Sequence, residues 1–318
     1  MRPVPAPPLL FLALLLLLPA CGGAEAEPLE PAPFDEARAW SDLEALVALG
    51  PRRIGSEASA RAREYIRSQI EPHGWEIEED PFTAVPPEGA RRRGEIPGVN
   101  LLARRPGTEA GEIWLCSHYD TYDIAGMVGA NDGGSSSAVL IECARQLGGE
   151  GPRQGPSLVL CWFDGEEPFP PVAWDDETNS TFGSRHLAER LAAEGRLQDI
   201  RALILLDMVG DADLGLHVER RSVPWLKNLF RSVAYRIGDP RLLLDEMQVQ
   251  DDHLPFRKKG VDVLLLIDFA YGGPERHGRL WHTREDSLEY CSAESLGRTG
   301  RLVLTALPLV EEQVRQQD

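Results

Sequence analysis

Two adjacent carboxylates, Glu166 and Glu167, follow a short apolar run at residues 158–162. Such a run is typical of a buried parallel strand, and open α/β sheets bind ligands just beyond the carboxyl ends of their strands. One carboxylate of such a pair can ligate a metal ion while its neighbour moves protons. Standing alone, the pair is more often a solvated acidic turn, so its meaning depends on the other strand ends.

Those other strand ends carry further metal-ligand side chains, namely His118, Asp132, Asp207 and His282. Each of these residues, taken alone, has an ordinary structural interpretation: a histidine in a loop, an aspartate that caps a helix or an aspartate that forms a turn. Ligand-type groups at successive strand ends are not expected from independent causes, so together they predict a metal site. Nitrogen and oxygen donors without a thiolate suit zinc in an open, catalytic arrangement. Asp120 is placed to orient the His118 ring from behind.

The elements that position these groups follow from apolar periodicity and from Gly, Pro and capping residues. Strands alternate with helices, which predicts an α/β fold: a single domain with a central, mostly parallel, twisted sheet flanked by helices on both faces. The C-terminal helix is predicted to kink or end near Pro308. Helices are predicted at 35–49, 56–74, 138–147, 183–193, 223–237 and from 293, and strands at 75–78, 99–103, 113–116, 157–163, 203–206 and 261–267.

Composition narrows the class of protein. The chain has 318 residues and a formal net charge of −18, which argues against a nucleic-acid partner. None of its five cysteines forms a C-x-x-C pair, so no thiolate metal site is indicated. Buried free thiols are favoured over a single disulfide, and a monomer is expected.

Residues 1–21 read as a targeting segment. Arg2 precedes an apolar stretch at 9–18 that is too short to span a bilayer, and residues 18–21 resemble a bacterial lipobox ending in Cys21. We expect an exported protein of the bacterial cell envelope or periplasm, held at a membrane only by a lipid on Cys21; cleavage without lipid is the alternative. Residues 22–33 are predicted to be a flexible tether and residues 34–318 the catalytic domain.

The motifs at 117–120, 129–135 and 164–167, with Asp207 and His282, resemble the zinc-dependent M28 aminopeptidase superfamily over nearly all of the mature chain. Segments 183–188, 250–256 and 281–283 further resemble its animal-type glutaminyl-peptide cyclotransferases. Two features depart from that group. Leu265 stands where the animal enzymes have a histidine, and Ser117 replaces a cysteine of their disulfide.

This resemblance implies that N-terminal glutaminyl residues of peptides or proteins are cyclised to pyroglutamate with release of ammonia. One zinc ion would be held by Asp132, Glu167 and His282, with Glu166 moving the proton. Asp207 and Asp251 would hydrogen-bond one another and hold the reacting centre. The substrate pocket would be formed by Trp281, Trp174 and Gln250.

The alternative is an M28 aminopeptidase with two zinc ions. Asp132 would bridge them, His118 and Asp207 would complete one site and Glu167 and His282 the other, and Glu166 would activate the attacking water. The same ligands serve both activities, so only Trp281, Asp251 and the insert with Trp174 favour cyclisation. A third reading, an inactive binding domain, is disfavoured because such domains lack ligands that are present here.

Overall fold

The computed structural model describes residues 27–173, 178–243, 245–273 and 277–317. Eight strands form one sheet in the order β1-β2-β4-β3-β5-β8-β6-β7. The strands are β1 (Glu76–Ala84), β2 (Ile96–Arg105), β3 (Glu112–His118), β4 (Ser157–Phe163), β5 (Ile200–Asp207), β6 (His217–Glu219), β7 (Glu246–Met247) and β8 (Val263–Ile267).

The four central strands β4, β3, β5 and β8 run parallel, and every residue of β3, β4 and β8 is buried. This matches the continuous apolar runs that predicted them. Antiparallel pairs occur toward both edges, between β1 and β2, β2 and β4, and β6 and β8. The predicted α/β fold is confirmed, with a sheet that is parallel at its centre and mixed at its edges.

Helices cover both faces of the sheet, as predicted. On one face α1, α2, α3, α5 and α7 enclose the larger apolar core, and on the other α4 and α6 enclose a second one. The helices are α1 (Glu36–Ala48), α2 (Glu57–Ile70), α3 (Ser136–Leu147), α4 (Phe182–Ala193), α5 (Pro224–Arg236), α6 (His253–Lys258) and α7 (Ala293–Arg315).

Local signals explain where the first helices begin and end. The Asp35 side chain caps α1 by accepting a hydrogen bond from the Arg38 amide, and Ser56 caps α2 through the Ser59 amide, as predicted. After α2 a short 3-10 turn ends at Gly74, which has a left-handed backbone (φ 76°).

One local prediction is corrected, and three short elements were missed. α7 does not end at Pro308 but continues to Arg315; this proline is exposed, and Leu307 and Val310 are buried in the core. The short helix α6 and the short strands β6 and β7 were not predicted. They have too few residues to show a periodicity of their own.

Residues 27–33, predicted as part of the flexible tether, instead lie against the domain. The Leu29 amide donates to the Arg236 carbonyl (2.9 Å) and the Ala32 amide to the Thr305 hydroxyl (2.8 Å). Leu29 and Ala32 also pack on the larger core, so the tether prediction is wrong for these residues. The targeting segment with Cys21, and residues 22–26, lie outside the described residues.

Two further predictions concern sulfur and the membrane. The four cysteines of the described chain are buried free thiols, as predicted. None of the helices in the described ranges is both long and apolar enough to cross a membrane.

Candidate active site

The carboxyl ends of β3, β4 and β5 meet at one edge of the sheet and bring the sequence-predicted ligands together. His118 ends β3, and its Nε2 lies 3.0 Å from Asp207 Oδ1 at the end of β5 and 3.3 Å from Asp132 Oδ1. His282, in the loop after β8, has its Nε2 2.8 Å from Glu167 Oε2 and 3.7 Å from Asp132 Oδ2. Asp132 therefore lies between two groups of ligand-type atoms.

Each group has the spacing that a metal ion needs. Asp132, Glu167 and His282 offer one set of converging ligand atoms, and His118, Asp132 and Asp207 offer another. Within the described chain, the Oε1 atom of Glu167 and the Oδ2 atom of Asp132 are buried without a hydrogen-bond partner. Buried carboxylate oxygens are costly without a cation or donor. The first set therefore fits a zinc ion in chemistry as well as in spacing.

The ring of His282 is held between two aromatic rings. Tyr122 stacks on one side at a centroid distance of 4.0 Å and an angle of 7°, and Trp281 on the other at 3.8 Å and 20°. His282 also has a left-handed backbone, with φ 54°, which a non-glycine residue adopts only where its surroundings enforce it. Tyr122 was not predicted from the sequence, because two loops that are distant in the chain bring the rings together.

Asp120 has a wider role than the predicted one. Its Oδ1 lies 3.4 Å from His118 Nδ1, consistent with orienting that ring. The same carboxylate accepts hydrogen bonds from the backbone amides of Glu166 (3.1 Å) and Glu167 (3.3 Å). Asp120 therefore fixes the turn that presents the glutamate pair, and it links the ends of β3 and β4.

The loop that carries Asp132 is held by Asp286, which sequence reasoning missed. Asp286 accepts hydrogen bonds from the amides of Asn131 (2.8 Å) and Asp132 (3.1 Å) and from the Tyr271 hydroxyl (3.0 Å). The only sequence signal for Asp286 is its position four residues after His282.

The same loop requires a glycine at position 133. There φ is 76°, and a Cβ atom would lie 2.6 Å from the Asp120 carbonyl oxygen.

The electrostatics of the site are those of crowded, buried acids. Burial, with the charges of Asp251 and Asp207 nearby, raises the pKa of Glu166 well above its usual value. Burial, with the charge of Asp132, does the same to the pKa of Glu167. Burial lowers the pKa of His282 to about 4, so this ring is neutral and able to ligate a metal. A bound cation would favour the ionised form of the carboxylates around it.

The predicted hydrogen bond between Asp207 and Asp251 is absent from the described chain. Asp207 Oδ1 contacts His118 instead, and Asp251 Oδ1 accepts from the Asp252 amide (2.6 Å). The Oδ2 atom of Asp251 is buried without a partner among the described residues. Burial raises the pKa of Asp251 well above its usual value, and the negative charge of Asp207 raises this pKa further.

The predicted pocket residues do not all line the same cavity. Gln250 and Asp251 line a cavity of about 770 Å³ together with residues of α4 and α6, whereas Trp281 lies over His282. Trp174 lies outside the described residues. Leu265, on β8, is fully buried in the apolar core beneath α4 and α6.

Comparison with known proteins agrees with this geometry. The chain is 36% identical to a glutaminyl cyclase of an Acidobacteriales bacterium, whose crystal structure superposes with a TM-score of 0.80 over 91% of this chain and 100% of that one. It is 29% identical over 293 residues to a glutaminyl-peptide cyclotransferase of Boiga irregularis, covering 79% of this chain and 75% of the relative.

The same fold occurs in a leucine aminopeptidase precursor of Bacteroides thetaiotaomicron. The two structures have a TM-score of 0.76 over 87% of this chain and 98% of that one, with 21% identity, which shows the fold alone. Residues 100–307, from β2 to α7, match the model of Peptidase family M28. This range includes both sets of ligand-type atoms, and the chain therefore belongs to peptidase family M28.

Proposed function

We propose that the protein is a zinc-dependent glutaminyl-peptide cyclotransferase, which converts N-terminal glutaminyl residues of peptides or proteins to pyroglutamate and releases ammonia. Relatives that carry this name at 29% to 36% identity support the reaction. The structural observation that carries the proposal is Asp251. Its Oδ2 atom is buried without a partner among the described residues, it belongs to neither set of ligand atoms, and its charge raises the pKa of Glu166.

Asp132, Glu167 and His282 would hold the zinc ion. When bound, zinc would polarise the γ-carbonyl of the substrate glutamine and stabilise negative charge on its oxygen. Glu167 and His282 are restrained for this task by Asp120 and by the two stacked rings, respectively. Restraint of this kind holds the ligands in position without the substrate.

Glu166 would transfer the proton. The α-amine nitrogen forms a bond to the γ-carbonyl carbon, and the bond from that carbon to the side-chain amide nitrogen breaks. Glu166 takes a proton from the α-amine and gives it to the departing nitrogen, which leaves as ammonia. A raised pKa suits a group that must both accept and donate the proton. Asp251 Oδ2 would accept a hydrogen bond from the substrate, and Asp207 would hold His118 in place.

An aminopeptidase remains the second candidate, because His118, Asp132 and Asp207 form a further set of converging ligand atoms. In that enzyme both sets would be filled. Glu166 would then act on water, and the product would be a free N-terminal amino acid.

The deciding experiment gives the zinc-loaded chain from Gly22 onward a glutaminyl peptide and, separately, a leucyl peptide. We expect ammonia and a pyroglutamyl product from the first and no free leucine from the second. Glu166→Gln should lower kcat about 10²- to 10⁴-fold without changing zinc content, because it removes only the proton carrier. Glu64→Gln, on the exposed face of α2, is the matched control. Free leucine without pyroglutamyl product would instead establish the aminopeptidase.

We also propose export and a lipid on Cys21, based on the sequence motif at residues 18–21. Cells supplied with a labelled fatty acid should incorporate it into the protein, and Cys21→Ser should abolish the incorporation and release the protein from membranes. Label retained by the Cys21→Ser variant would contradict the anchor.

A further inference from the structure

Among the Lys and Arg residues of the described ranges, Arg52 alone is buried as a whole residue, with 0% of its surface exposed. Placing a guanidinium fully inside a protein is unfavourable unless its donors are satisfied and its charge is balanced. Both conditions are met here. Burial lowers the pKa of Arg52 to about 10, so the group still carries its charge at neutral pH.

The donors of Arg52 join two segments that support the proposed zinc ligands. Nε donates to the Tyr119 carbonyl (2.9 Å), directly after His118. The two terminal nitrogens of the guanidinium donate to the start of the loop that leads to Asp132: Nη1 to the Val128 carbonyl (2.6 Å) and Nη2 to the Gly129 carbonyl (2.8 Å). The planar guanidinium therefore fixes the spacing between these segments, as a lysine ammonium could not.

The charge of Arg52 acts on the same region. Four carboxylates interact with it, those of Asp286, Asp120, Asp132 and Glu167. Two of these belong to the proposed zinc ligands, and the other two hold the backbone of those ligands. A permanent cation beneath the site partly offsets their mutual repulsion before any metal arrives.

We propose that Arg52 is a positioning residue for zinc: its guanidinium holds the segment of Tyr119 and Asp120, which supports Glu167, at a fixed separation from the loop that carries Asp132. This inference rests on the proposed zinc site but not on the choice between cyclase and aminopeptidase. Residues that orient metal ligands from behind typically change metal affinity about 10- to 100-fold when they are replaced.

The test measures the zinc dissociation constant by competition with a chromophoric chelator, and folding by circular dichroism. The variants are Arg52→Met, which removes both the planar guanidinium and its charge, and Arg52→Lys, which keeps the charge but not the planar guanidinium. The control is Arg53→Met, because Arg53 lies next in sequence but is partly exposed and pairs with Asp123 (2.9 Å). We expect both Arg52 variants to bind zinc about 10- to 100-fold more weakly and the control to bind as the unmodified protein does.

Three outcomes would overturn the inference. Unchanged zinc affinity in folded Arg52→Met and Arg52→Lys would show that the guanidinium does not position the ligands. Unchanged affinity in Arg52→Lys alone would assign the effect to charge rather than to geometry. Loss of folding in both variants would make Arg52 a determinant of the fold instead. Absence of zinc binding by the unmodified protein is a different result, since it would refute the proposed metal site itself.

Discussion

Replacing Tyr122 should weaken zinc binding although this side chain is not a proposed ligand. Its ring stacks on His282 at 4.0 Å and 7°, and Trp281 holds the opposite side. An aromatic pair contributes about 0.5–1.5 kcal/mol beyond the area that it buries. If this energy restrains the imidazole in its ligating orientation, Tyr122→Leu should raise the zinc dissociation constant about 2- to 13-fold, since about 1.4 kcal/mol corresponds to a factor of ten.

The assay is chelator competition on three proteins: the unmodified chain, Tyr122→Leu and Tyr122→Phe. The phenylalanine variant keeps the ring and should bind zinc as the unmodified chain does, which separates stacking from any effect of the hydroxyl. Trp281 is a less suitable target because it is also a proposed pocket residue. Equal zinc affinity for Tyr122→Leu and Tyr122→Phe would refute the conclusion that stacking restrains His282.

Two further predictions concern stability. Gly133→Ala should lower the free energy of unfolding, measured with urea, by more than Gly151→Ala does. Both glycines have a positive φ, but only an alanine at position 133 would place its Cβ atom against the Asp120 carbonyl oxygen. Equal losses in the two variants would contradict this collision. A left-handed backbone alone costs an alanine about 1–2 kcal/mol. The zinc-free protein should melt at a lower temperature at pH 8 than at pH 5. Burial raises the pKa of Asp252 and of Asp268 to about 7, so the folded state binds protons more tightly than the unfolded state does. The stability that this proton binding contributes is lost as the pH rises from about 4 through 7. Asp268→Asn should reduce this dependence on pH, and an unchanged dependence would show that Asp268 does not contribute to it.

Local sequence predicted the elements well where burial is simple. β4 has the bounds predicted for it, residues 157–163, because a short uninterrupted apolar run between turn residues is typical of a strand buried on both faces. The proposed ligands could also be placed, since the carboxyl ends of neighbouring parallel strands meet at one edge. The predicted helix end at Pro308 was wrong, because the buried side chains of Leu307 and Val310 continue the core-facing side of the helix past the proline.

The sequence by itself therefore determined the fold class, the identity of the ligand-type residues and their place at strand ends. Tertiary structure decided the position of β4 between β2 and β3, and the convergence of Arg52, Tyr122 and Asp286 on the site. These last contacts join residues that are tens to more than a hundred positions apart. No local periodicity records such contacts, because they form only when the packed core fixes the loops relative to one another.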